Sequence, residues 1–173
     1  EGTYKNYFWM VPHNLITLID TIGGKEFAEK RLDSLFTRLD ADYHQDWFAA
    51  GNEPDFQVPW IYNWVAKEQK TNDVISRIID EMYSSEEDGL PGNDDLGTMG
   101  AWYVFASLGL YPLIPGVGGF STNIPQFMES KITLGNGNIL NISKDDTNGK
   151  FLNKIELNKV PLVSSWVSWN KIK

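Results

Sequence analysis

The chain has 173 residues, 42% hydrophobic and 22% charged, with a net charge of −8 and no cysteine. That length holds one ordinary core or two small ones. The acidic balance argues against nucleic acid, whose phosphates need clustered Lys and Arg, and the lack of cysteine excludes disulfides and thiolate chemistry. No run of about eighteen apolar residues is present, so no membrane-spanning helix is expected. Nothing in the composition fixes the compartment, which stays open between secreted, cell-surface and cytoplasmic. Beginning at Glu1 without Met is what a fragment or processed product would show.

In chain order, helices come first. Pro12 to Ile22 carries Leu15, Ile16, Leu18, Ile19 and Ile22 at helical spacing, with Pro12 in the first turn and Gly23-Gly24 as the stop. Ala28, Leu32, Leu35, Phe36 and Leu39 form a second amphipathic stripe, and residues 40–57 read as an irregular loop. Val58 to Val65 predicts a short aromatic helix. Thr71 to Tyr83 predicts a helix with Val74, Ile75, Ile78, Ile79 and Met82 on one face and Thr71 or Asn72 as cap. Thr98 to Leu108, nearly all apolar, predicts a buried helix ending at Gly109. Near residue 112 the texture changes to Pro and Gly. Beyond it, Lys131–Leu134 and Ile139–Ile142 flank residues 135–138, and Phe151–Leu157 and Val160–Val163 flank Asn158-Lys159, both hairpin signals. The expected fold is mainly α with a small antiparallel β part, divided into residues 1–115 and 116–173.

Residues 88–103, Asp88-Gly-Leu-Pro-Gly-Asn-Asp-Asp-Leu-Gly-Thr-Met-Gly-Ala-Trp-Tyr103, set Asp94 and Asp95 between glycines just before a helix. Glycine lets backbone approach a ligand closely, and a carboxylate can act as base or metal ligand. The structural alternative is an acidic cap for the following helix. A second cluster, Gly51-Asn52-Glu53-Pro54, and the opening Glu1-Gly2 also lie where loops join helices. Glycosidic hydrolysis needs one carboxyl to protonate the leaving oxygen and another to attack or to activate water. The abundance of 7 Trp, 7 Tyr and 9 Phe suits stacking on the flat apolar faces of sugars. With only His13 and His44, any metal site would use oxygen ligands, favouring calcium over zinc. His13 itself reads as a structural or substrate-contacting residue. Asp145 to Gly149 lacks the spacing and distal Glu of a calcium loop and reads as a β-turn.

Four motifs in collinear order carry a resemblance: Gly51-Asn52-Glu53-Pro54 with Val58-Pro-Trp-Ile-Tyr-Asn-Trp64; Asp88-Gly-Leu-Pro-Gly-Asn-Asp-Asp95; Ala101-Trp-Tyr-Val-Phe105; and Gly109-Leu-Tyr-Pro112. With Glu1-Gly2, Tyr7, Trp9 and Val11-Pro-His13, they make roughly residues 1–165 resemble glycoside hydrolase family 92, calcium-dependent exo-α-mannosidases that invert the anomeric centre. The resemblance implies helical hairpins of an (α/α)6 toroid followed by β-strands. It implies Glu1 as general acid, Asp95 as general base and Asn93 as the support of that base. It further implies Asn52 and Glu53 at calcium (Ca2+) or sugar hydroxyls, His13, Asp94 and Trp47 as substrate contacts, and α-mannoside glycans, α-1,2-linked ones included, as substrate. Room for the attacking water implies carboxyls about 6.5–9.5 Å apart.

Family members commonly carry Asp where this chain has Asn14, and His where it has Phe56 and Gln57. Those differences bear on the leaving-group side more than on the acid and base. Members also have an N-terminal β-sandwich and a complete toroid, so the rest of a parent chain is the expected partner, and this piece alone is expected to be inactive. Two alternatives stay open on the residues: another helical-toroid glycosidase or disaccharide phosphorylase, and a non-catalytic carbohydrate- or calcium-binding module. A phosphorylase needs a phosphate pocket, and no basic cluster lies near residues 88–95.

Overall fold

The computed structural model describes residues 2–42, 44–145 and 151–172. Among the described residues, five α-helices come first: α1 (Tyr4–Tyr7), α2 (Leu15–Thr21), α3 (Lys25–Leu35), α4 (Glu68–Met82) and α5 (Thr98–Leu108). Seven short strands follow: β1 (Leu110–Tyr111), β2 (Gly119–Thr122), β3 (Glu129–Thr133), β4 (Ile139–Ser143), β5 (Glu156–Leu157), β6 (Val160–Pro161) and β7 (Trp166–Ser168). The chain is thus helical with a small antiparallel β part, as expected.

The apolar stripes become the core. Leu15 and Ile19 of α2, Ala28, Leu32 and Leu35 of α3, and Val74, Ile75, Ile78 and Ile79 of α4 are all buried. They pack around the segment Val58–Val65, which is a 3-10 helix with Trp60, Ile61 and Tyr62 in its interior. Pro12–Asn14 is likewise a 3-10 turn preceding α2. The loop expected over residues 40–57 is tied down: an isolated bridge joins Asp40 to Ala49, and Phe48 N–H donates to the Leu35 carbonyl at 2.8 Å.

Two helix readings need correction. Helix α4 begins at Glu68, so Thr71 and Asn72 are interior residues, not caps. Thr71 Oγ1 donates to Asn63 Oδ1 at 2.8 Å, and Asn72 Oδ1 accepts from Ile124 N–H at 2.6 Å, which explains polar residues on a buried face. Helix α5 has the expected limits, with Gly109 as its left-handed stop. It buries Met99, Trp102, Ala106 and Ser107, whereas Val104 is 55% exposed and Tyr103 40% exposed. A helix apolar on all sides buries only the face that meets a neighbour.

Both expected hairpins form. β3 pairs with β4, and β5 pairs with β6 across Asn158-Lys159, both at positive φ (51° and 66°) as a two-residue primed turn requires. A third, unforeseen sheet has the antiparallel order β1-β2-β7. It packs on the helices: Asn63 Nδ2 donates to Ser121 Oγ and to the Thr122 carbonyl, both at 2.9 Å, so bonding continues across residues 115 and 116. The turn expected at 145–149 falls almost wholly outside the described residues. Among the described residues, no helix is long and apolar enough to cross a membrane.

Candidate active site

A polar cleft of about 440 Å³ lies between the loops that join the helices. Its wall includes Gly2, Asp40, Asp42, Gly51, Asn52, Pro91, Gly92 and Asn93. Two of the three motifs singled out in the sequence therefore meet on one surface, with Gly2, next in chain to Glu1, beside them. Glu1 lies outside the described residues, and with it the acid-to-base separation.

Backbone contact between two glycines brings the motifs together. A Cβ on Gly51 would sit 2.5 Å from the Pro91 carbonyl oxygen, and one on Gly92 would sit 3.0 Å from Gly51 Cα. Only a residue without a side chain permits that approach. The opening segment is held from below. Thr3 caps α1, and the fully buried Asn6 donates through Nδ2 to the Trp47 carbonyl at 2.6 Å.

Beneath the loops runs an aromatic stack. Tyr83 lies parallel to Trp102 at 5.6 Å, Trp102 meets Trp60 edge-on at 5.7 Å, and Trp60 stacks on Tyr111 at 4.1 Å. Burial first, then the nearby Asp94 charge, pushes the Tyr83 phenol above its ordinary pKa. Burial, then Tyr83 and Glu53, does the same to Tyr111. The charges of Asp94 and Glu53 thus both act on hydroxyls of a single stack. Trp102 Nε1 donates to the Phe56 carbonyl at 3.0 Å, tying the stack to the loop that carries Asn52.

The individual side chains differ in what they are free to do. Asp94 Oδ1 accepts from Gly100 N–H at 3.2 Å, so this carboxylate caps the start of α5, the structural role weighed for it. Asp95 is exposed, two residues past the cleft-lining Asn93, and its carboxylate has no hydrogen bond or ion pair among the described residues. It opens a run of left-handed backbone: Asp95 has φ 48°, Leu96 φ 61° and Gly97 φ 90°. Non-glycine residues held in that region cluster where geometry serves function. Glu53 is exposed at the start of a 3-10 turn, Glu53–Asp55. His13 is exposed in the turn before α2 and is not part of the cleft wall. Trp47 is half-buried outside that wall, with the Arg38 guanidinium 4.5 Å over its ring.

Three contributors had no recognisable signal in the sequence. Asp40 stands in the cleft wall, gripped by Arg38 at 3.0 and 2.8 Å, which holds its carboxyl below the ordinary range. Asn6 was invisible because its partner lies far along the chain. Asp55 is fully buried, and burial raises its carboxyl to about 7 despite the opposing hydrogen bond from Asn52.

For a metal, the cleft offers oxygen donors only: the carboxylates of Asp40 and Asp42 and the amides of Asn52 and Asn93. That chemistry fits a hard divalent cation. Among the described residues, no group of three or more His, Cys, Asp or Glu is placed to hold an ion. Amide, carbonyl, water or substrate oxygens would therefore complete the coordination.

The family model for the glycosyl hydrolase family 92 catalytic domain matches residues 1–173. A curated fungal relative described as an uncharacterized secreted glycosidase, from Arthroderma benhamiae, is 33% identical over 112 residues, covering 65% of this chain and 14% of its own length. Among solved structures, the family GH92 alpha-mannosidase BT3965 from Bacteroides thetaiotaomicron superposes with a TM-score of 0.87 at 30% identity. The match covers 99% of this chain and 23% of that one. The family GH92 inverting mannosidase BT2199 of the same organism gives 0.86 at 26%, covering 100% and 26%. The chain thus spans about a quarter or less of the length of these relatives. The family model takes in every residue, including the paired-glycine cleft, and the chain belongs to glycosyl hydrolase family 92.

Proposed function

We propose that this chain supplies part of the catalytic centre of an exo-acting α-mannosidase, built on helical hairpins of a toroid, that hydrolyses terminal α-linked mannose with inversion. The observation that carries the reading is the contact of Gly51 with Pro91 and Gly92, which lets Asn52 and Asn93 share a cleft with Gly2. The mannosidase neighbours support the substrate class, one of them solved with mannoimidazole.

In this reading Asp95 takes a proton from water on one face of the sugar, and Asn93 steadies that base. The water oxygen forms the new bond to the anomeric carbon as the glycosidic bond breaks, and Glu1 gives its proton to the departing oxygen. Asn52 and Glu53 would hold calcium, which supplies charge that grips sugar hydroxyls and favours the flattened transition state. Asp94, His13 and Trp47 line the approach of the glycan. The rest of a longer parent chain completes the site.

The test uses the full-length protein and an α-1,2-linked mannobioside followed by proton NMR. The expected result is β-mannose as the first anomer released, loss of release with a calcium chelator, and recovery on adding calcium. First release of the α anomer, or no release with calcium supplied, overturns the reading.

A further inference from the structure

Asp55 is a buried acid with an unusual set of partners. It has 0% exposure. Its Oδ2 accepts from Asn52 Nδ2 at 3.2 Å, whereas Oδ1 has no hydrogen-bond partner among the described residues. The backbone reinforces the pair, since Asp55 N–H donates to the Asn52 carbonyl at 2.9 Å and Phe56 N–H to the Glu53 carbonyl at 3.1 Å. This tight turn fixes Asp55 against Asn52, which lines the cleft beside Gly51.

A buried carboxyl with an empty oxygen is a poor stabiliser, because desolvation is only partly offset by one hydrogen bond. Its geometric effect is specific, however. The Asp55 oxygen that faces Asn52 accepts a hydrogen bond, while the asparagine amide has a donor end and an acceptor end. Turning Nδ2 toward Asp55 turns Oδ1 the other way. A cation or a sugar hydroxyl proton in the cleft needs that oxygen, and an amide rotated by half a turn would present two N–H donors instead.

We propose that Asp55 is a positioning residue that locks the Asn52 amide with Oδ1 toward the cleft, and so sets the site's affinity for a hard cation. The inference rests on the reading of Asn52 as a calcium ligand, and it concerns a residue that never touches the ion. Partners of this kind are worth about 10–100-fold in metal affinity.

The experiment titrates calcium alone into the full-length protein by calorimetry, alongside melting temperatures without calcium. Asp55→Asn replaces a carboxyl whose facing oxygen accepts from Asn52 by a group that tolerates either amide orientation. The expected outcome is a melting temperature within a few degrees of wild type and calcium binding about 10–100-fold weaker. Turnover lost at limiting calcium should return at saturating calcium. Asn52→Asp has oxygen at both ends, so adding Asp55→Asn to it should cost no further affinity. That double variant also exchanges the pair and keeps the question answerable if Asp55→Asn alone does not fold. A folded Asp55→Asn protein with wild-type calcium affinity overturns the proposal, as does an equal further loss in the Asn52→Asp background. If wild type binds calcium but Asn52→Ala binds it equally well, the assignment of Asn52 fails, and the proposal with it.

Discussion

Between the two cleft loops there is room for backbone and little else. Gly92→Ala would put a methyl group 3.0 Å from Gly51 Cα and 3.1 Å from Met99 Cε, and backbone cannot rotate aside as a side chain can. Overpacking of that kind costs about 1–3 kcal/mol, measurable by urea denaturation. Gly135→Ala, where nothing lies within 4 Å, is the control and should stay within about 0.5 kcal/mol of wild type. Exposed ion pairs set the acid response. Hydrogen bonds from Lys70 and then Lys67 lower the Glu29 pKa, the bond from Arg38 lowers Asp40, and that from Lys5 lowers Asp46. Depressed carboxylates contribute fully above their unfolded pKa values, about 4, and lose that contribution as pH falls through the lower folded values. Melting temperature should therefore drop below about pH 4, and Lys70→Met should flatten the drop. A fall that Lys70→Met leaves unchanged would contradict the assignment.

At the scale of elements, Asn123 joins the helices to the three-stranded sheet. Its Oδ1 accepts from Trp60 Nε1 at 3.1 Å, and its Nδ2 donates to the Ala106 carbonyl at 2.9 Å, all in the interior. Asn123→Ala leaves buried partners unpaired at about 1–3 kcal/mol each, so chemical denaturation should show a loss of at least about 2 kcal/mol, while a near-neutral result would mean that water replaces the amide. Helix α4 was legible because its apolar residues repeat at helical spacing, α5 because a nearly all-apolar stretch ends at Gly109, and the Asn158-Lys159 hairpin because two apolar runs flank two turn residues. The start of α4 was misread because Thr71 and Asn72 resemble caps, whereas their polar groups serve Asn63 and Ile124. The β1-β2-β7 sheet escaped notice because its strands have two to four residues, too short for alternation to show. In the cleft, Asn52 and Asn93 could be singled out as parts of motifs. Asn6 and Asp55 could not, since burial is what distinguishes them, nor could Asp40, an exposed residue marked out only by its place in the cleft wall.

Taken whole, the described residues share one apolar interior built from α2, α3, α4, the 58–65 segment and Met99, Trp102 and Ala106 of α5, with the sheet bonded to its flank. That interior gives the loops a base, because the Tyr83–Trp102–Trp60–Tyr111 stack packs with it and Trp102 Nε1 donates to the Phe56 carbonyl next to the 53–55 turn. Shape alone explains why two distant motifs meet; chemistry must be tested on Asp95, whose carboxylate no other described residue engages. The decisive measurement is turnover against inhibitor affinity in the full-length protein carrying Asp95→Asn, with mannoimidazole as the ligand. Asp95 acting as general base predicts a fall in kcat of about 10²–10⁴-fold with mannoimidazole binding changed by no more than a few-fold. Wild-type kcat in the folded variant would contradict the account.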